Sequence, residues 1–107
     1  MTPTALPPTH FPDTAALARF NDAGPQPQFL LDSEHFKALV AGLTPGQRIP
    51  PHPEALSIYH FLSGSGVMTV DGRDIAVAAG STVIALAGAS RGIRAETPLV
   101  FLAAKSG

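Results

Sequence analysis

Residues 63–88 read SGSGVMTVDGRDIAVAAGSTVIALAG, and they decide the fold. Val67 to Val70 and Arg73 to Ala78 are two runs of strand-forming residues separated only by Asp71-Gly72. That dipeptide tolerates positive φ at both central positions of a tight turn, so the segment predicts a two-residue β-hairpin. Ser63-Gly64-Ser65-Gly66 bends the chain before it, and Gly80 opens a further strand from Thr82 to Leu86. Gly88 and Ser90 mark the next turn. No helical period interrupts these strands.

Working outward, the same pattern continues in both directions. Ile93 to Ala95 and Leu99 to Ala104 follow on the C-terminal side. Before the hairpin come Phe29-Leu30-Leu31, His35 to Leu43, the turn Thr44-Pro45-Gly46, an extended Gln47 to Pro50 and Ser57 to Leu62. Strands recurring every 8 to 12 residues with turn residues between them predict an all-β sandwich or barrel, and the absence of intervening helices excludes βαβ architecture. The first 27 residues read as an arm, because Pro3, Pro7, Pro8 and Pro12 each remove a backbone donor and restrict the preceding residue. Within it, Asp13 or Thr14 is placed to cap a short helix from Thr14 to Asn21, with Leu17 and Phe20 on one side and Gly24-Pro25 ending it. The expected organisation is an arm over 1–27 and one β domain over 28–107.

Composition agrees with a turn-punctuated β domain and removes several function classes. Of 107 residues, 11 are Pro and 10 Gly, and only 14% are charged, against roughly 25% in an ordinary soluble domain. The net charge of −1 is scattered, and no cationic cluster exists to displace counterions from nucleic acid. There is no apolar run of the length that spans a membrane. Met1 to Pro12 carries no basic region followed by an apolar stretch, so the expected address is the cytoplasm. Cysteine is absent, which excludes disulfides, thiolate metal sites and a cysteine nucleophile. With so few charges on a small domain, some apolar surface is expected to meet a second copy in a homodimer. Phe29, Phe36, Phe61 and Phe101 read as core.

From Leu43 to Ala104 the chain resembles a cupin, a double-stranded β-helix or small jelly-roll barrel. In PGQRIPPHPEALSIYHFLSGSG, Gly46 is followed after five residues by His52, as in the first cupin motif. In GSTVIALAGASRGIRA, Gly80 and Gly88 occupy the glycine positions of the second. The resemblance implies a lumen that in many members holds a metal on three histidines and one carboxylate. Here the position expected for a second histidine holds Glu54, and the carboxylate position falls on Ser57 or Tyr59. The second-motif histidine is Arg91. Of the four ligand positions, His52 alone keeps its residue.

Arginine has no lone pair to donate and carries a permanent positive charge, so Arg91 cannot ligate a metal. Three roles remain open for it: binding an anionic ligand with its two-pronged donor face, pairing with Glu54 to neutralise the lumen, or turning outward to solvent. His60 is a second open question. If the chain ran extended from His52 to His60, then His52, Glu54 and His60 would share one face and could hold iron, manganese, nickel or zinc. If Gly64 instead sets the register, Ser57, Tyr59 and Phe61 turn inward and His60 outward; a one-residue shift reverses every side chain. His10 and His35 read as surface residues.

The leading expectation is therefore a cupin that binds a small, anionic molecule in its barrel without a full metal site and without a cofactor. His52, Glu54, Ser57, Tyr59 and Arg91 would line that pocket. The competing expectation is a metal-dependent enzyme of the dioxygenase or isomerase type using His52 and His60. A metal-free enzyme with His52 as general base is a further variant. The fold supports each, since cupins include enzymes, storage proteins and sensors.

Overall fold

A computed structural model describes residues 8–107, so the expectations for Met1, Pro3 and Pro7 lie outside the described residues. The chain forms nine strands: β1 (Gln28–Asp32), β2 (Phe36–Leu43), β3 (Arg48–Pro53), β4 (Ser57–Ser63), β5 (Ser65–Val70), β6 (Arg73–Ala78), β7 (Thr82–Ala85), β8 (Ser90–Ala95) and β9 (Leu99–Ser106). They make a five-stranded sheet of order β1-β2-β9-β4-β7 and a four-stranded sheet of order β3-β8-β5-β6. Every pairing is antiparallel. Two facing antiparallel sheets with this strand exchange are the double-stranded β-helix that the cupin resemblance implies. Among the described residues no helix is long and apolar enough to cross a membrane.

The Asp71-Gly72 hairpin forms as predicted, with φ of 47° and 79° at its two central residues and β5 and β6 in register from Val70↔Arg73 to Ser65↔Ala78. Gly64 marks a turn where the space as well as the backbone requires glycine. Its φ is +82°, and a Cβ there would lie 1.9 Å from the Pro98 carbonyl oxygen.

Alternation along each strand then sorts the side chains. Leu39, Ala41 and Leu43 of β2, Tyr59 and Phe61 of β4, Phe101 and Ala103 of β9 and Met68, Val77 and Ile93 of the other sheet form one buried cluster between the sheets. Tyr59 and Phe61 both flank Phe101, at ring-centroid distances of 6.0 and 5.9 Å, within the range of favourable aromatic pairs.

Three expectations are corrected. The short helix reduces to one 3-10 turn, Ala15–Leu17, with Asp13 Oδ1 accepting from the Ala16 N–H at 3.3 Å. A helix of eight residues is too short to hold itself together in water. The chain instead extends at Ala18, bridges Arg19 to Gln26 and lays Phe20 against Gly42. Phe29 and Phe36 are not core: they are 52% and 47% exposed, whereas Phe61 and Phe101 are buried. Finally, β3 and β8 start earlier or run further than expected. His52 and Pro53 pair with Arg91 and Ser90 across a bulge.

Candidate functional site

The bulge in β3 lies between Ile49 and His52 and absorbs Pro50 and Pro51, which cannot donate to a ladder. It re-aims His52 so that it sits directly across from Arg91, and both belong to the inner face of the four-stranded sheet. On the facing sheet, Tyr59 pairs with Ala103 and Ser57 with Lys105, all on inward positions. These elements enclose a cavity of about 150 Å³. Its floor is apolar, made by Leu39, Ala41, Ile49, Ile93, Phe101 and Ala103. Its polar groups come from His52, Glu54, Tyr59, Arg91 and Lys105, and Pro25 and Pro27 of the arm close one side. The Gln47 side chain ties the arm down by donating to the Asn21 carbonyl at 2.8 Å.

Arg91 is 1% exposed and its guanidinium is fully engaged. Nε donates to the Ala89 carbonyl (2.9 Å), Nη1 to the Ala55 carbonyl (2.7 Å) and Ser57 Oγ (2.9 Å), and Nη2 to the carbonyls of Glu54 (3.2 Å) and Leu86 (2.8 Å). Arginine has five N–H donors, so none is left over. All three roles open in the sequence are corrected: Arg91 does not turn outward, does not pair with the Glu54 carboxylate, and has no free donor pair for an anionic ligand. Arg91 points inward and meets the Glu54 backbone instead. It clamps the 54–57 loop to the 86–89 turn, and toward the cavity it offers charge rather than free donors.

The Glu54 carboxylate is held by Lys105, whose Nζ donates to Oε1, and lies 3.1 Å from His52 Nε2 at Oε2. Burial by itself would raise the Glu54 pKa, but the hydrogen bond and charge of Lys105, aided by His52, outweigh it and hold the carboxyl below its ordinary value of 4.5. His52 Nδ1 lies 3.0 Å from the Pro50 carbonyl, which fixes the ring on a short tether. The Tyr59 ring is 5% exposed and lines the cavity, and its hydroxyl makes no hydrogen bond to another described residue. A phenol at a cavity wall without a protein partner is available to a ligand.

The structure thus brings His52, Glu54, Tyr59 and Arg91 around one cavity. Ser57 stands behind it, 1% exposed, donating to the Ala55 carbonyl at 2.9 Å and accepting from Arg91. His60 is not part of the site. The strand takes the register set by Gly64: Ser57, Tyr59 and Phe61 are buried, and His60 lies on the other face, 2.7 Å from Thr82 Oγ1. His52 and His60 therefore do not meet. Nor does the donor set fit a divalent cation: both Glu54 oxygens face cationic or nitrogen partners, the buried Arg91 guanidinium adds positive charge to the cavity lining, and no three His, Asp or Glu converge among the described residues. Lys105 is the residue that sequence reasoning missed. The signal was present in the alternation Leu99, Phe101, Ala103, which continues to Lys105 once β9 extends to Ser106.

The chain belongs to the cupin family: the model of the cupin domain matches residues 39–105. It is similar to a protein of known structure from Thermus thermophilus at 27% identity and a TM-score of 0.83, covering 92% of this chain and 97% of that one. An RmlC-like cupin from Desulfovibrio desulfuricans matches at 27% identity and a TM-score of 0.75, over 82% of this chain and 87% of that one. A protein of unknown function from Streptococcus pyogenes shares the fold at 20% identity and a TM-score of 0.83, over 94% and 90% of the two chains. No curated protein matches the sequence.

Proposed function

We propose that this cupin binds a small molecule with an apolar body and one anionic group in its barrel. The observation that carries the reading is the cavity itself: about 150 Å³ of largely apolar space, with a Tyr59 hydroxyl on its wall that bonds to no other described residue, and with Lys105, Arg91, His52 and the single carboxylate of Glu54 in its lining. An apolar space of that volume accommodates a body the size of benzene. The surrounding charge is net positive even with His52 neutral, which favours an anion over a cation. Tyr59 donates to the ligand's acceptor group, Lys105 and Glu54 set the polar end, and Arg91 positions the loops that frame it.

Amide chemical-shift titration with benzoate, benzyl alcohol and benzylamine tests this, since the three share a ring and differ in charge. Saturable shifts at cavity residues are expected for benzoate, weaker ones for the alcohol and none for the amine. Tyr59→Phe should weaken benzoate about tenfold, the cost of one hydrogen bond to a charged group. Ala103→Leu, which fills the floor, should abolish binding. Equal affinity for all three probes, or benzoate binding that survives Ala103→Leu, would overturn the reading.

A further inference from the structure

The outer face of the four-stranded sheet sets two positive charges against each other. On β8, Arg94 alternates with the buried Ile93 and Ala95 and so projects outward. Its cross-strand partner on β3 is Arg48, and both side chains are exposed. Like charges directly opposite each other on an antiparallel pair repel. The whole chain has only seven Lys and Arg, so this meeting is not forced by a crowded cationic surface.

Nor is the pair compensated from within the chain. Lys37 lies 3.5 Å from Asp32, Lys105 binds Glu54, and Arg91 is saturated by its acceptors. Arg48 and Arg94, by contrast, make no ion pair and no side-chain hydrogen bond among the described residues.

The two arginines border a groove of about 200 Å³. Its floor is Gly92, which pairs with Thr69 of β5 and lies beside the Pro50-Pro51 bulge of β3. A Cβ on Gly92 would stand 2.7 Å from the Ile49 carbonyl oxygen and 2.8 Å from the Pro51 nitrogen, so the backbone itself keeps the floor bare. Val67 and Pro51 supply apolar flanks. Two strands across from Arg94 is Asp74, whose Oδ1 accepts from Thr69 Oγ1 at 2.7 Å. The groove is therefore polarised, with two guanidinium groups at one end and one carboxylate at the other.

We propose that this groove binds a small phosphate monoester, its phosphate on Arg48 and Arg94 and a ligand hydroxyl donating to Asp74. Guanidinium forks match phosphate oxygens in pairs, and a dianion cancels the charge that the opposed arginines leave uncompensated. A carboxylate would cancel half of it. Asp74 sets the limit on the other side: a nucleic-acid backbone would meet its negative charge, and two arginines give too few contacts to hold a polyanion. The groove lies on the opposite surface of the sheet from the barrel cavity, so it stands whether or not the cavity takes a ligand.

Thermal unfolding of the whole chain at constant ionic strength, with glycerol 3-phosphate, inorganic phosphate or glycerol, tests the proposal. Glycerol 3-phosphate at ten times a dissociation constant of about 1 mM should raise the Tm by about 6 °C in a saturable way, inorganic phosphate less and glycerol not at all. Arg48→Gln and Arg94→Gln should each weaken binding at least about tenfold. Without ligand they should melt no lower than the natural chain, because one of two opposed charges is gone. Arg73→Gln, outside the groove, should leave the response intact. No saturable gain in the natural chain, equal gains from the two phosphates, a gain that survives both groove substitutions, or unliganded variants that melt several degrees lower would overturn it.

Discussion

Arg91 and Glu54 divide the polar work of the barrel between them. A buried guanidinium is tolerated because every donor has an acceptor, and those acceptors belong to segments far apart in sequence: 54–57 and 86–89. Replacing Arg91 by Met keeps the volume but strands Ser57 and several part-buried carbonyls, each costing up to about 1–3 kcal/mol when left unpaired. Chemical denaturation should show a loss of about 3 kcal/mol. Arg91→Lys should recover little of it, since an ammonium has three donors and no planar fork. Glu54 predicts a pH dependence of definite sign. Its carboxyl titrates lower in the folded chain than its ordinary 4.5, so its stabilising contribution is complete above that value and is lost as the pH falls through and below it. Water still reaches the pair with Lys105, so the contribution is no more than about 1 kcal/mol. Melting curves of the natural chain and Glu54→Gln should differ at neutral pH and converge in acid. A gap that widens in acid would reverse the assignment.

At the level of elements, turns were the legible part and register was not. Asp71-Gly72, Gly64 and Gly46 impose backbone conformations that few other residues adopt, so their strands could be placed from spacing alone. Parity on β4 could not, because a single-residue slip exchanges Tyr59 for His60 with no change in composition. What settles it is Gly64, whose close approach to Pro98 pins β4 against β9. Lys105 escaped notice for a related reason: a strand ending at Ala104 never presents it. Arg91's partners were illegible because they are backbone carbonyls, which any sequence supplies and only the fold aims. Gly64→Ala should then be among the costlier small substitutions. It places a methyl 1.9 Å from a backbone oxygen that cannot swing aside, and it forces positive φ on alanine. A loss of about 3 kcal/mol is expected, which in a domain of this size lowers the Tm by roughly 10–20 °C. A shift of a degree or two would mean that β4 and β9 can separate freely, and that the register has another cause.

For the whole molecule, one sheet serves two environments. Odd-numbered positions of β4 and β9 build the cavity, and even-numbered positions build the bare outer face, so Ile58 and Tyr59 are neighbours in sequence with separate duties. The scarcity of charge follows from both. A residue facing the lumen packs or lines the cavity, the outward positions of β2, β4, β7 and β9 carry no charged residue, and Lys37 and Lys105 stand on inward positions toward the strand ends. The two surfaces lie on opposite sides of a rigid layer, so substitutions on them should act independently. Ile58→Lys should leave benzoate affinity within about twofold, while Ala103→Leu should abolish benzoate binding without unfolding the chain. The double variant should bind no benzoate and lose no more stability than the two single variants together. If Ile58→Lys instead removed ligand binding in a folded chain, the two faces of the sheet would be coupled, and the lumen could no longer be treated as independent of the outer surface.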